Sequence, residues 1–125
     1  MAEQAGIERQ LRSEALSASW LSTRLGVGTQ RIDAMRRAGE LIGIRLPGSQ
    51  EHLYPAWQFD GAAPRASVRR IVAAAREAGL DEVRLYEVLT SRAGLGGTRR
   101  LVDGLRDGGE EHVITAVRDS RTSVY

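Results

Sequence analysis

The sequence predicts a mainly α protein: a helix, a tight glycine turn, a second helix and a two-stranded β-hairpin, followed by a small C-terminal helical bundle. Three observations carry this. Apolar residues recur at helical spacing on both sides of Gly26-Val27-Gly28. Ile42, Ile44 and Leu46 alternate with Gly43 and Arg45 ahead of a Pro47-Gly48 pair. After Pro64 the pattern is helical throughout, punctuated by Gly79, Gly94–Gly97 and Gly108-Gly109.

Residues 1–15 form a polar lead-in in which Ile7 and Leu11 allow a short helix. The next helix starts near Ser17 or Ser19, since a serine hydroxyl can accept from the free N–H groups of a first turn. Trp20, Leu21 and Leu25 supply its buried stripe, and Gly26 ends it in the left-handed conformation. The following helix begins at Gly28 or Thr29 and runs to Ala38, before Gly39. Ile32 and Met35 face the core, leaving Thr29, Gln30, Asp33, Ala34 and Arg37 on the opposite face. Leu41–Leu46 and Glu51–Tyr54 are the expected hairpin strands, with Pro47-Gly48 at the centre of a type II turn. Arg45, Ser49, Gln50 and His52 then stand at or near its tip.

In the second half, a helix opened by Pro64 or Ser67 runs to Gly79, Asp81 caps another, and a short leucine helix spans Leu101–Leu105. The last helix carries Glu110 and Glu111 at its start and Arg118 and Arg121 toward its end, as the helix dipole favours. Trp57 and Phe59 lie in the segment joining the halves and are expected to be buried there. The division is therefore 1–15, 16–60 and 61–125. A piece of about 60 residues buries only roughly 60% of its unfolded surface, so the halves should pack together or the chain should dimerise.

Composition limits the function classes. The chain has 125 residues, 42% of them apolar, and no apolar run approaches the roughly 18 residues of a membrane helix. The N-terminus has no signal-peptide core, so the expected location is cytoplasmic. There is no cysteine and the two histidines are isolated, so neither a thiolate metal site nor a catalytic triad is in view, and no cofactor is expected. His52 has no carboxylate or second histidine at ligand-like spacing. GLGGTRR lacks the Gly-Lys-Ser/Thr ending of a phosphate loop. All 18 basic residues are arginine, which codon usage in a GC-rich bacterial genome would produce and which also suits phosphate and guanine recognition. Residues 17–46 hold five arginines against Asp33 and Glu40, a local surplus of three.

The order helix, turn, helix, hairpin is that of a winged helix-turn-helix, which places one short helix in a DNA groove. The run LGVGTQRIDAMRRAGEL resembles the core of winged helix-turn-helix proteins of the MerR and excisionase type. The residues that carry the resemblance are Leu25-Gly26-Val27, Thr29-Gln30, Arg36-Arg37 and Gly39-Glu40-Leu41. It covers residues 16–55 and departs at Gly28, where that type has a Ser or Thr cap. It implies base-reading roles for Thr29, Gln30, Asp33 and Arg37, with Arg31 beside them, and a wing role for Arg45 to His52, including Ser49 and Gln50. The expectation is a sequence-specific double-stranded DNA-binding protein, a small bacterial transcriptional regulator dimerising through its C-terminal helices.

The C-terminal block has its own resemblance. Trp57-Gln58-Phe59-Asp60, a proline-led helix, Leu95-Gly96-Gly97, Arg100, a leucine helix and Gly108 resemble the toxin-binding domain of bacterial antitoxins of the Xre, MbcA and ParS group. That group has a proline where Leu101 stands here. The block is also similar to that of small winged regulators of GC-rich bacteria ending in Tyr, here Tyr125. The first resemblance implies a second function, an antitoxin holding a toxin through its C-terminal domain and repressing its own operon. A third is an excisionase-like factor that bends DNA.

Overall fold

α1, Ala2–Glu14, turns the polar lead-in into a full helix, with Leu11 completely buried. The structure is a computed structural model describing residues 2–93, 99–106 and 108–120. β1 (Ala15–Ser17), α2 (Ala18–Leu25) and α3 (Thr29–Arg37) follow. β2 (Leu53–Pro55) leads into a 3-10 turn at Ala56–Gln58 and a two-residue hairpin of β3 (Phe59–Asp60) and β4 (Ala63–Pro64). α4 (Ser67–Ala78) and α5 (Glu82–Thr90) come next. β5 (Arg92–Ala93) pairs with β6 (Arg99–Arg100), and a 3-10 turn at Leu101–Leu105 precedes α6 (Glu110–Asp119). The protein is thus mainly helical, with small two-stranded antiparallel sheets. Among the described residues no helix is long and apolar enough to cross a membrane. The expected glycine turn at Gly94–Gly97, and Arg121 and Tyr125, lie outside the described residues.

The helix boundaries follow the local signals. Ser17 accepts from the Trp20 N–H at 3.1 Å and starts α2, and Gly26 ends it at φ 70°. Asp81 accepts from the Arg84 N–H at 2.8 Å and starts α5, and Gly79 ends α4 at φ 75°. Each of the two side-chain N-caps, Ser17 and Asp81, is worth about 1 kcal/mol.

The hairpin departs from expectation. Leu41–Leu46 is not a strand: only Ile44 is bridged to Leu53, by two hydrogen bonds of 2.9 Å. Leu53–Pro55 pairs instead with β1, in the register Ala15–Pro55, Leu16–Tyr54 and Ser17–Leu53. The reason lies in Gln58. Its fully buried side chain donates to the Ile42 carbonyl at 2.8 Å and accepts from the Ile42 N–H at 2.7 Å, taking the place of a strand partner. A third bond, to the Pro55 carbonyl at 3.1 Å, ties this to the end of β2. The turn itself is as expected: Gly48 has φ 84° and the Ser49 N–H donates to the Leu46 carbonyl at 3.0 Å.

Two apolar clusters hold the chain together. The smaller is Leu21, Ile32, Leu41 and Tyr54, which fixes α2 against α3 and both against β2. The larger runs without interruption across residue 60. It joins Leu11 of α1, Ile42, Ile44, Leu46 and Trp57 to the inner faces of α4, α5 and α6. The period-two pattern of Ile42, Ile44 and Leu46 therefore does face one core, although the segment is not a strand. Burying each such side chain contributes about 1.5–3 kcal/mol, so the first 60 residues depend on the helices that follow. Tyr86 is also buried here and donates its hydroxyl to Glu14 on α1, which Arg100 reaches from the other side at 2.9 Å. Burial and that carboxylate push the tyrosine well above its ordinary pKa.

Candidate nucleic-acid interface

The turn between α2 and α3 is held by its own backbone. Gly26 N–H and Val27 N–H both donate to the Ser22 carbonyl, at 3.0 and 3.1 Å, and the Ser22 hydroxyl donates to the Val27 carbonyl. Gly28 is extended and starts α3 with no side-chain cap. Ile32, fully buried, turns the inner face of α3 toward Leu21. Helical geometry then leaves Thr29, Gln30, Arg31 and Arg37 exposed, with Asp33 half-exposed among them.

Asp33 is not a free acceptor. Arg36 binds one of its oxygens, and Arg37 Nε lies 3.0 Å from the other. The hydrogen bond from Arg36, aided by the charges of both arginines, holds the Asp33 carboxyl below its ordinary pKa. The consequence is geometric. Arg37, 68% exposed, is gripped at Nε, which leaves its two terminal nitrogens for other partners. Its backbone carbonyl accepts from Arg76 of α4 at 3.0 Å. Arg36 is mostly covered, with its stem against Gly43, where a Cβ would come within 2.7 Å of Arg36 Cδ and 2.8 Å of Tyr54 Cε2.

The loop from Arg45 to His52 is held differently. Its Arg45 N–H donates to Glu82 Oε1, at the start of α5, at 2.6 Å. His52 Nε2 lies 3.6 Å from the other oxygen of Glu82, with only 19% of its side chain exposed. Burial, and the charges of Arg36 and Arg45, lower the His52 pKa, while Glu82 and Asp33 act in the opposite sense. Arg45 and Gln50 are exposed; Ser49 is half-exposed, its hydroxyl accepting from the Glu51 N–H at 3.2 Å.

The expected residues therefore fall into two groups. Thr29, Gln30, Asp33 and Arg37 line one shallow depression on α3. Arg45 and His52 line a second one together with Arg36, Asp81 and Glu82. Arg31, Ser49 and Gln50 stand outside both. His52, expected near the hairpin tip, is instead turned toward α5. Trp20, expected in the buried stripe of α2, is 51% exposed, with the Arg24 guanidinium 5.4 Å from its ring centre. Sequence reasoning missed Glu82 and Gln58. Glu82 carries the signal of a first-turn helix acid and nothing more, and Gln58 carries none.

Among the described residues no group of three or more His, Asp or Glu side chains could hold a metal ion. No protein family, no curated protein and no solved structure matches this chain.

Proposed function

We propose that α2, α3 and the loop from Arg45 to His52 form a winged helix-turn-helix, and that the protein binds double-stranded DNA in a sequence-specific way as a small homodimeric transcriptional regulator. The observation that carries this reading is the outer face of α3. It offers a hydroxyl, an amide and two guanidinium groups, with no large apolar side chain, and one guanidinium is held in place by Asp33. Gln30 has the donor–acceptor pair that matches adenine N6/N7, and Arg37 the fork that matches guanine O6/N7, each worth about 1–3 kcal/mol of discrimination. Asp33, with both oxygens on arginines, acts in this reading by orienting Arg37 and not by accepting from a base. Arg45 and Ser49–Gln50, after the Pro47-Gly48 turn, meet the phosphate backbone beside α3. Two such units on one duplex supply the area that a single one lacks, with the second half of the chain as the dimer contact.

Selection of bound fragments from a random duplex library, followed by titration of the enriched sequence, tests this. Enrichment of one motif is expected, with Arg37→Ala losing discrimination at one base pair and Arg45→Ala lowering the salt slope by about 0.9. Absence of enrichment, or unchanged binding in both variants, would remove the assignment. Sedimentation of the protein with and without duplex tests the dimer.

A further inference from the structure

The Arg45–His52 loop is closed at its base by the Ile44–Leu53 bridge, and beyond that its own unit holds it lightly. Inside that bridge its own hydrogen bonds are the turn at Ser49 and the contact of Ser49 with Glu51. Its flank is fixed from α5, where Glu82 accepts from the Arg45 N–H with one carboxylate oxygen and faces His52 with the other. Glu82 is half-buried, and Asp81 beside it is already committed to capping α5. α4 reaches the same end of the unit: Arg76 donates to the Arg37 carbonyl, and Arg69 lies 3.5 Å from Glu40. The Glu82, Arg76 and Arg69 links thus join α4 and α5 to the loop, to the end of α3 and to Glu40 just beyond it.

We infer that Glu82 is a positioning residue for DNA binding: it sets the pose of the Arg45–His52 loop, so that the C-terminal helices govern how that loop meets the phosphate backbone. This rests on the DNA-binding reading above. The physical argument is that a carboxylate accepting a backbone N–H restrains the chain itself, not one side chain. Fixing the Arg45 amide fixes where the Arg45 guanidinium starts from and where the Pro47-Gly48 turn projects. A charge-assisted bond of this kind is about twice as strong as a neutral one. Glu82 touches no DNA in this arrangement and acts only through Arg45 and His52.

The experiment compares full-length wild type, Glu82→Ala and Glu82→Gln, with Arg45→Ala as a contact variant. Three quantities are read: amide exchange at Arg45, affinity for the selected duplex, and the slope of affinity against salt. In Glu82→Ala the Arg45 amide should exchange faster, affinity should fall about tenfold at 0.1 M salt, and the salt slope should drop by about 0.9, the signature of one lost phosphate contact. Glu82→Gln keeps an acceptor for the Arg45 N–H and should retain most of both protection and slope. Arg45→Ala should lower the slope by the same amount, about 0.9, and keep the amide protection. A variant that merely lowered the folded fraction would reduce apparent affinity with its slope unchanged, and that result overturns the proposal. So does faster exchange with unaltered DNA binding, which leaves the DNA-binding reading intact. A wild type that binds no duplex removes both.

Discussion

Arg37 and Arg45 are each steered by a carboxylate, but one carboxylate is four residues away and the other thirty-seven. On α3, Asp33 and Arg37 are brought together by helical geometry alone, at the spacing where side chains on one face meet. In the loop, Glu82 comes from α5 and can act only after α4 and α5 have packed on Ile42, Ile44 and Leu46. The α3 face is thus a property of a short stretch of chain, whereas the loop is a property of the whole fold. Perturbing the shared core should displace the loop before it alters α3, and perturbing α2 or α3 should do the reverse.

The largest effect is expected at Gln58. Gln58→Leu removes three hydrogen bonds and leaves the Ile42 N–H and carbonyl buried without partners, at a cost of about 2–4 kcal/mol. Urea denaturation should show that loss, and amide exchange should show Ile42 and Arg45 opening well before the α3 amides. If α3 opens together with the loop, the two regions form one cooperative unit.

Gly43→Ala should come next. The added methyl would sit under 3 Å from both Arg36 Cδ and the buried Tyr54 ring, and such overpacking costs about 1–3 kcal/mol. Because Arg36 holds Asp33, this substitution carries a loop-side change onto α3. It should weaken discrimination at the base pair assigned to Arg37, measured by titrating single-base variants of the selected duplex. Unchanged discrimination would show that Arg36 does not couple the two regions.

Ser17→Ala probes the other side. Loss of the α2 cap should lower stability by about 1 kcal/mol in thermal denaturation and leave exchange at Arg45 as in the wild type.

The same contrast explains what was legible in the sequence. Ser17, Gly26, Asp81 and Gly79 mark their helix ends because a cap acts within four residues. The exposed set on α3 follows from the burial of Ile32, again a local period. The strand expected at Leu41–Leu46 failed because a single glutamine sixteen residues on satisfies Ile42, and no pattern in Trp57-Gln58-Phe59 announces that. Nothing in the sequence signals that α5 covers His52, because the contact comes from Glu82, thirty residues on. Trp20 misled in the opposite way. It sits beside Leu21 in an apolar-looking run, but one helical step separates the buried residue from the exposed one, and Arg24 covers part of its ring.

The smallest expected effect is a pH dependence that belongs to the loop alone. In the unfolded chain His52 titrates near its ordinary value of 6.5; in the fold, burial and then Arg36 and Arg45 lower that value, while Glu82 and Asp33 oppose them. A depressed folded pKa means that the unfolded chain takes up the proton first as pH falls. The contribution of His52 is therefore constant above about 6.5, declines as pH drops from there to the lowered folded value, and is flat below it. Asp81 lines the same depression, with one oxygen engaged by the Arg84 N–H as the α5 cap. Subtracting the stability profile of His52→Gln from that of the wild type between about pH 5 and 8 isolates this segment. A difference that grows in favour of the wild type as pH falls would mean that the Glu82 ion pair outweighs burial, and that the loop is held by charge more than by the Arg45 amide.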